Sequence, residues 1–505
     1  MATLRALGLP PAPGADPDQE ILGLASDSRK AGPGVVFFAL KGSVDGAEFA
    51  PYALRMGSPL VVCSPEGART IQAAWEAEGR EVPPQGLPLA VTEAPRLALA
   101  RAAAAFHAAQ PEVVAAVTGT NGKTSVAAFL RQIWTRLGRA AVNVGTIGVE
   151  GALDRPGGLT TPDPLSLHAL LAELKGLGID HAAIEASSHG LAQYRADGVR
   201  LRAAGMTNIT RDHLDYHPTP EDYLQAKLGL FARVLPADGT AALNADDPSF
   251  PRAAEIVRAR GQRLIAVGRA EGADLRLLSA DYHETGQTLR FAWAGETFEA
   301  ELTLVGAFQG ENALMAAALA IGCGEDPRAV FAALPALTGV KGRMEHVATR
   351  ANGARVYVDY SHTPDSLSTA IAALRLHTPG RLVVVFGAGG DRDAGKRPLM
   401  GRAALAADVA VVTDDNPRSE DPAAIRAQVI AGCEGADPAP MEIGDRAEAI
   451  LAAVDMLGPQ DRLLIAGKGH ETGQIVGQEV IPFDDAEQAR AAVQVLDAED
   501  DTGDA

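Results

Sequence analysis

The stretch from Val113 to Ser125 constrains the fold of this chain more than any other. It reads VVAAVTGTNGKTS: an apolar run long enough for a buried strand, a glycine-containing loop, and then apolar residues at helical spacing as far as Leu137. Glycine lets such a loop turn its backbone N–H groups around phosphate oxygens, and the helix N-terminus adds its partial positive charge. The stretch predicts a phosphate-binding loop between a strand and a helix.

Two side chains of this loop have expected roles. Lys123 is predicted to reach the β- and γ-phosphates of a nucleotide, and Thr124 to ligate Mg²⁺. The general signature asks for a glycine where this chain has Val117, so the match is incomplete, and an ordinary glycine-rich turn is the alternative. The nucleotide-binding residues predicted in the loop are Gly119, Thr120, Asn121, Gly122, Lys123, Thr124 and Ser125.

Length and composition narrow the class of protein. A chain of 505 residues is too long for one core and predicts about three domains, and 47% hydrophobic with 22% charged residues is typical of a soluble globular protein. The net charge of −19 disfavours nucleic acid and anionic membranes as partners. The three cysteines, the absence of a signal-peptide pattern and the absence of a long apolar stretch predict a cytoplasmic protein with no membrane span.

Strand and helix patterns alternate along the chain, which predicts an α/β fold in three units. Residues 1–96 form a small α/β domain, residues 97–340 a central domain with a parallel sheet, and residues 341–505 a further α/β domain. The acidic tail, residues 496–505, is predicted to be disordered.

Polar residues follow several predicted strands of the central unit. Glu185 ends the strand HAAIE, and His213 lies in the segment after AGMT. Ligands of parallel sheets gather at the carboxyl ends of the strands, where the phosphate loop also lies. This carboxylate and imidazole would suit the coordination of Mg²⁺ beside a triphosphate, although a capping glutamate and a structural histidine are the alternatives. Lys227, on a later helix, would by itself be an ordinary surface lysine.

Three strand ends of the third unit also carry polar runs, and these contain Arg392, Arg418 and Glu471. Arginine matches carboxylates bidentately and glutamate can hold an ammonium group, so a zwitterionic ligand is predicted. The run GAGGDRD is not G-x-G-x-x-G, which disfavours a dinucleotide site.

Taken together, these motifs resemble those of the Mur ligases of bacterial cell-wall synthesis. The motifs are DSR, GTNGKTS, TTPD, EASSHGL, NITRDHLDYH, NADD, GRME, DYSHTPDSL, GDRDAGKRPLM, DDNPR and GKGHE, in this order along nearly the whole chain. The resemblance implies an N-terminal domain for a uridine nucleotide, a central ATPase domain and a C-terminal Rossmann-like domain for an amino acid.

The resemblance also implies an activity. Such a ligase uses ATP and Mg²⁺ to add meso-diaminopimelate to UDP-N-acetylmuramoyl-L-alanyl-D-glutamate through an acyl phosphate, and a monomer is expected. DNPR, at residues 415–418, marks the diaminopimelate type. An L-lysine-adding ligase, a folylpolyglutamate-type ligase and a nucleotide-gated switch that hydrolyses ATP are the alternatives.

By resemblance, Lys123, Glu185, His213 and Lys227 are catalytic, and Lys227 is N-carbamylated. The implied metal ligands are Thr124, Glu185, His213 and Lys227. Further ATP contacts are implied at Asn312, Arg343 and Asp359. The UDP end of the substrate is implied at Ser26, Ser28, Ser43 and Val44. The muramoyl peptide is implied at Thr160, Thr161, Ser187, Gln193 and Arg195, where Leu159 replaces an asparagine common in related chains. The amino acid is implied at Arg392, Asp415, Asn416, Pro417, Arg418, Gly467 and Glu471.

Overall fold

The computed structural model describes residues 2–210 and 216–503. Within them, three sheets that are wholly or mainly parallel follow one another along the chain, with helices packed against them. This arrangement confirms the predicted α/β class. No helix in the described part of the chain combines the length and the apolar character needed to cross a membrane.

The first sheet has four parallel strands in chain order, and its two faces bury separate apolar clusters. The strands are Gly23–Ala25, Val35–Phe38, Val61–Cys63 and Leu89–Val91, preceded by the pair Ala2–Thr3 and Glu20–Ile21. The helices are Ala50–Arg55, Pro65–Ala77 and Pro95–His107, with 3₁₀ turns at Ser28–Lys30 and Gly46–Phe49.

The central sheet has eleven strands in the described residues, and the phosphate-loop strand lies inside it. In spatial order the strands are Arg155–Pro156, Gly148–Gly151, Ala141–Val144, His181–Glu185, Val113–Thr118, Ala203–Met206, Thr240–Asn244, Arg263–Gly268, Leu275–His283, Gly286–Trp293 and Glu296–Leu302. The strands from Ala141–Val144 to Leu275–His283 run parallel, whereas the two outermost at each edge are antiparallel additions. The predicted parallel sheet is therefore its middle part.

Helices cover both faces of this sheet and bury two large apolar clusters. They are Lys123–Arg136, Pro164–Gly176, Ser188–Ala192, Pro220–Gly229, the π-helix Leu230–Val234, Phe250–Ala259, Ala307–Gly322, Pro327–Ala333 and the 3₁₀ turn Leu334–Ala336.

The third sheet has six strands and is parallel except at one edge. In spatial order they are Glu345–Thr349, Arg355–Asp359, Arg462–Ala466, Leu382–Phe386, Val409–Val412 and Met441–Glu442, and Gly473–Val476 pairs with Glu479–Pro482 in a separate hairpin. The helices are Pro364–Arg375, Lys396–Ala404, Pro422–Ile430, Arg446–Asp455 and Asp485–Gly503, with a 3₁₀ turn at Ala431–Cys433.

The prediction of a disordered tail is wrong as far as Gly503, because the last helix runs to that residue. Asp497 accepts a hydrogen bond from Arg350 Nε at 2.7 Å and another from the Ala351 backbone at 2.9 Å. The acidic composition suggested disorder, but part of that charge is used to attach the helix to the third sheet.

His377 joins the central and third sheets. The Gly306 N–H donates to His377 Nε2 at 3.0 Å, so Nδ1 carries the proton and donates to the His283 carbonyl at 2.6 Å. The adjacent Glu284 accepts from Arg462 Nη2 at 2.9 Å. A buried neutral imidazole is therefore part of the contact between the two sheets.

We expect this contact to weaken at low pH. Burial lowers the pKa of His377 below its ordinary value of 6.5, so the neutral form is favoured in the folded protein. The unfolded chain takes up the proton first, and stability is lost as the pH falls from about 6.5 toward the lower folded-state pKa. His377→Gln cannot titrate and should lose about 1–3 kcal/mol at neutral pH but show a smaller fall in Tm between about pH 8 and pH 5.5.

Thr378→Val is the matched control, since it removes a hydrogen bond from Thr378 Oγ1 to the Leu374 carbonyl without removing a titrating group. Its Tm should follow the wild-type pH dependence. Equal pH dependence in wild type and His377→Gln would contradict the assignment.

Candidate active site

The phosphate loop has the geometry that its sequence predicts. Gly119 has φ 143° and Gly122 has φ 87°, a region that favours glycine. A Cβ on Gly122 would come within 2.5 Å of Asn312 Oδ1, and one on Gly119 would collide with Thr207 Oγ1. The loop therefore needs glycine at both positions, and its backbone leads directly into the helix Lys123–Arg136.

Two lysines converge on one carbonyl of this loop. Lys123 Nζ donates to the Gly119 and Thr120 carbonyls at 2.9 and 2.8 Å, and Lys227 Nζ donates to Gly119 at 2.6 Å. Lys227 is 1% exposed and its ammonium lies 4.6 Å from the centroid of the Tyr223 ring. The interpretation of Lys227 as a surface lysine is therefore wrong, and the π-helix that follows it is typical of functional segments.

Thr124 and Glu185 are in direct contact next to the phosphate loop. Thr124 Oγ1 donates to Glu185 Oε2 at 3.0 Å, and the Thr146 N–H donates to Glu185 Oε1 at 2.9 Å. Glu185 is 1% exposed. A buried carboxylate beside a hydroxyl is a donor set that suits Mg²⁺, which takes one or two carboxylates and completes its shell with water and phosphate oxygens. The residues present therefore fit this ion.

The other predicted metal ligand, His213, lies outside the described residues. Within residues 2–210 and 216–503 no group of three or more histidine, cysteine, aspartate or glutamate residues could hold a metal ion. Mg²⁺ bound together with a nucleotide does not require such a group, because the phosphates supply ligands.

A cleft of about 350 Å³ lies between the phosphate loop and the third sheet, and residues of both the central and the third sheet line it. Arg343 Nη2 reaches Thr124 Oγ1 at 3.5 Å, and its guanidinium lies 4.5 Å from the centroid of the Tyr360 ring. Asp359 and Asn312 line the same cleft. All three predicted additional nucleotide contacts therefore face the phosphate loop.

Asp359 is held in place by its neighbours. Its carboxylate accepts hydrogen bonds from the Met344 N–H at 2.7 Å and from Ser361 Oγ. Burial raises the pKa of Asp359, and the hydrogen bond from Ser361 and the charge of Arg343 oppose that shift.

The residues predicted to meet the muramoyl peptide form one hydrogen-bonded network. Thr161 Oγ1 donates to the Glu185 carbonyl at 2.9 Å and lies 3.1 Å from Ser187 Oγ. Arg195 Nη1 donates to the Thr161 carbonyl at 2.8 Å, and Arg195 Nη2 donates to Gln193 Oε1 at 2.9 Å. This network adjoins the phosphate loop through Glu185.

Thr160 links the network to the candidate metal ligands. Its hydroxyl lies 3.0 Å from Thr146 Oγ1, which in turn lies 3.3 Å from Glu185 Oε2. The side chain of Leu159, where related chains often carry asparagine, is 54% exposed.

The residues predicted at the UDP end lie elsewhere, at the carboxyl edge of the first sheet. Ser26 directly follows the strand Gly23–Ala25 and Ser28 begins a 3₁₀ turn. Ser43 and Val44 belong to the loop after Val35–Phe38. None of these four is among the described residues that line the cleft at the phosphate loop.

The residues predicted for the amino acid meet at one edge of the third sheet. Asn416 Nδ2 donates to Glu471 Oε2 at 3.1 Å, although 55 residues separate them. A Cβ on Gly467 would lie 2.6 Å from Asp415 Oδ2, and one on Gly390 would collide with the Pro417 carbonyl, so these segments are tightly packed.

The two predicted arginines are neighbours there. A Cβ on Gly389 would lie 3.0 Å from Arg418 Nη1 and 3.9 Å from Arg392 Cγ. Arg418 Nη1 donates to the Gly390 carbonyl at 2.7 Å. The Arg418 guanidinium therefore lies near Asn416, whose carbonyl is 3.5 Å from Arg418 Nη1, and the side-chain stem of Arg392 approaches the same glycine, Gly389.

Sequence reasoning missed Thr146, Tyr360 and Lys468. Thr146 follows the strand Ala141–Val144 and Tyr360 follows Arg355–Asp359, so the strand-end criterion that selected Glu185 would have found both. Lys468 lies inside the motif GKGHE, but no local signal indicates that its side chain is buried.

Three family models match the chain in order. The model described as Mur ligase family, catalytic domain, matches residues 20–107. The Mur ligase middle domain matches residues 117–320, and the Mur ligase, glutamate ligase domain, matches residues 342–469.

Relatives match at full length. A protein of Bradyrhizobium diazoefficiens named UDP-N-acetylmuramoyl-L-alanyl-D-glutamate--2,6-diaminopimelate ligase is 51% identical over 94% of this chain and 95% of its own length. A protein of Caulobacter vibrioides with the same name is 49% identical over 95% of this chain and 97% of its own length.

Solved structures of Mur ligases and of a folylpolyglutamate synthase are similar to this fold. A ligase structure with that name has a TM-score of 0.71 and 31% identity over 98% of this chain and 99% of its own. Folylpolyglutamate synthase of Mycobacterium tuberculosis has a TM-score of 0.60 at 20% identity, covers 74% of this chain and 91% of its own, and therefore shows the shared fold alone. Given the half-identical, full-length relatives and the three models in order, this chain belongs to the Mur ligase family.

Proposed function

We propose that this protein is an ATP-dependent ligase that joins meso-diaminopimelate to UDP-N-acetylmuramoyl-L-alanyl-D-glutamate. The observation that carries the proposal is the unbroken contact path from the phosphate loop to Arg195. Thr124 bonds to the Glu185 carboxylate, the Glu185 carbonyl accepts from Thr161, and the Thr161 carbonyl accepts from Arg195. A carboxylate held by Arg195 would lie beside a nucleotide held by the loop, as phosphoryl transfer to a carboxylate requires.

The residues suit the chemistry of amide formation. A carboxylate does not condense with an amine in water, so its oxygen first takes the γ-phosphoryl group of ATP, and the amine then attacks the acyl carbon while phosphate leaves. Lys123 neutralises the transferring phosphoryl group, and Arg195 orients the carboxylate. Thr124 and Glu185 would hold Mg²⁺, with His213 and Lys227 as further predicted ligands; the ion would supply charge neutralisation at the phosphates.

The edge of the third sheet would take the amino acid. Arg392 and Arg418 suit its carboxylates, and Asp415 and Glu471 suit an ammonium group. We assign the uridine nucleotide to residues 1–96, ATP to residues 97–340 and the amino acid to residues 341–505. A monomeric cytoplasmic enzyme stays a prediction.

Phosphate release from ATP tests this function. It should require both the UDP-linked dipeptide and meso-diaminopimelate, because the acyl phosphate forms only on the dipeptide and turns over only with the amine. Phosphate release at the same rate without either substrate would favour a nucleotide-gated switch. Phosphate release that depends on a folate substrate would favour a folylpolyglutamate-type ligase.

A separate prediction concerns N-carbamylation of Lys227. Carbamylation would turn a buried ammonium, which shares the Gly119 carbonyl with Lys123, into a carboxylate-like ligand for Mg²⁺. We expect Lys227→Ala to lose at least about tenfold in kcat and to recover part of it with short carboxylates. Isotopically labelled carbon dioxide should give a carbamate NMR signal in wild type that is absent from this variant.

Lys175 is a partly exposed lysine that pairs with Asp180 and Glu112, and Lys175→Ala is the control, which should keep wild-type activity. An unmodified Lys227 in a fully active enzyme would refute carbamylation.

A further inference from the structure

Lys468 is a charged side chain buried at the predicted amino-acid site. It follows the strand Arg462–Ala466, and its side chain is 0% exposed, which is rare for lysine unless the group is paired. It does not line the nucleotide cleft within the described residues. Its burial therefore needs a cause other than contact with ATP.

The contacts of Lys468 determine the orientation of the Asn416 side chain. Lys468 Nζ donates to Asn416 Oδ1 at 2.9 Å, and the Ile475 N–H donates to the same oxygen at 2.9 Å. With two donors on the oxygen, the amide nitrogen must point the other way, and it donates to Glu471 Oε2 at 3.1 Å. Lys468 thus acts on Glu471 through Asn416, and Lys468 Nζ also lies 3.8 Å from Glu471 Oε2.

Charge supports the same arrangement. Arg446 and Asp485 form a fully buried pair that neutralises itself. Lys468 then stands near two carboxylates, those of Asp415 and Glu471. Burial lowers the pKa of Lys468, and the charges of these two carboxylates oppose that shift. Lys468 and these two carboxylates together carry a net charge of about −1, which one incoming ammonium group would neutralise, whereas the charges of Arg392 and Arg418 are assigned to the carboxylates of the substrate.

The hairpin of strands Gly473–Val476 and Glu479–Pro482 holds the adjoining Arg418. The Arg418 N–H donates to the Ile475 carbonyl at 3.0 Å, and the Gly477 N–H donates to the Arg418 carbonyl at 2.7 Å. Arg418 has φ 53°, an unfavourable conformation for a residue with a side chain. Ile475 therefore contacts both Asn416 and Arg418. The loop of residues 416–418 is thus bound by the hairpin at both residues and by Lys468 at Asn416.

We propose that Lys468 is a positioning residue for the amino acid: together with Ile475 it orients the Asn416 amide, and the amide holds the Glu471 carboxylate toward the ammonium group of the substrate. This inference rests on the proposed function, since it requires the amino acid to bind at this edge. The effect of Lys468 is on binding of the amino acid and not on phosphoryl transfer.

Lys468→Met tests the inference, because methionine keeps much of the side-chain length without charge or donors. The KM for meso-diaminopimelate should rise at least about tenfold, the cost of losing a charged hydrogen bond, while the KM values for ATP and the UDP-linked dipeptide stay within about twofold. Lys468→Arg should recover part of the loss. Lys175→Met, on the central domain, is the matched control and should change none of the three values.

Asn416→Asp keeps the test decisive if Lys468→Met folds poorly. Aspartate still accepts hydrogen bonds from Lys468 and Ile475 but cannot donate one to Glu471. Asn416→Asp should therefore raise the KM for meso-diaminopimelate and leave the KM values for ATP and the UDP-linked dipeptide unchanged. The double variant should show far less than the product of the two single effects, because both act through one path.

Three results would overturn the inference: equal changes in all three KM values, a loss confined to kcat, or multiplicative effects in the double variant. Failure of the proposed function would look different, since the wild-type enzyme itself would then form no product with meso-diaminopimelate.

Discussion

Replacing Lys123 with alanine is expected to lower kcat/KM for ligation by about 10²-fold or more, which is the usual effect of removing one group that stabilises transition-state charge. Lys123 is the first residue of the helix after the phosphate loop, and its ammonium lies against the Gly119 and Thr120 carbonyls. Alanine keeps the helix but removes the charge from the phosphates. The loss should appear in kcat, because the charge matters most while the phosphoryl group moves.

Steady-state kinetics of amide formation with ATP and the UDP-linked dipeptide saturating would measure this loss. Lys30→Ala, at the end of a 3₁₀ turn in the first unit, is the control and should stay near wild type. If Lys123→Ala retained activity within about tenfold of wild type, less than about 1.4 kcal/mol of transition-state stabilisation would depend on Lys123 and the assignment would be wrong.

The second large effect is expected for Arg418→Ala. meso-Diaminopimelate and L-lysine differ by one carboxylate at the far end of the side chain. An enzyme that selects meso-diaminopimelate over L-lysine therefore needs a cationic group that contacts this carboxylate. Arg418 stands beside Arg392 and is held by the Gly390 carbonyl and the hairpin. A site that pairs a polar substrate group can reject the analogue that lacks it by about 10⁴-fold.

We therefore expect wild type to prefer meso-diaminopimelate strongly, and Arg418→Ala to lose most of that preference through weaker binding of meso-diaminopimelate. Competition between the two amino acids, with products separated by mass, gives the ratio directly. Arg402→Ala, an exposed position on the helix Lys396–Ala404, is the control. Comparable catalytic efficiency of wild type with both amino acids would refute the assignment and favour a ligase that also adds L-lysine.

The strands that position the site could be predicted because their signals are local. His181–Glu185 begins and ends where the sequence HAAIE indicates, and Arg355–Asp359 and Arg462–Ala466 end just before the polar segments that follow them. Each is an apolar run at the end of which polar residues appear, and parallel pairing brings those polar residues to one edge. The motifs that predicted the family are also local, and most of them lie directly after a strand.

Other features depend on contacts between distant residues and could not be predicted. Lys227 is buried because its helix packs on a loop 108 residues earlier in the chain. The Asn416 amide is oriented by Lys468, 52 residues later. The acidic tail is helical because Arg350, 147 residues before Asp497, pairs with it. No pattern within one segment carries such information.

The mass of the product tests the central claim most directly. Purified UDP-N-acetylmuramoyl-L-alanyl-D-glutamate would be incubated with the enzyme, ATP, Mg²⁺ and a panel of amino acids. We predict that the UDP-linked substrate gains the mass of one diaminopimelate residue, with phosphate released in equal amount, and that L-lysine gives little product. An unchanged substrate mass with every amino acid, or an equal yield with L-lysine, would contradict the account.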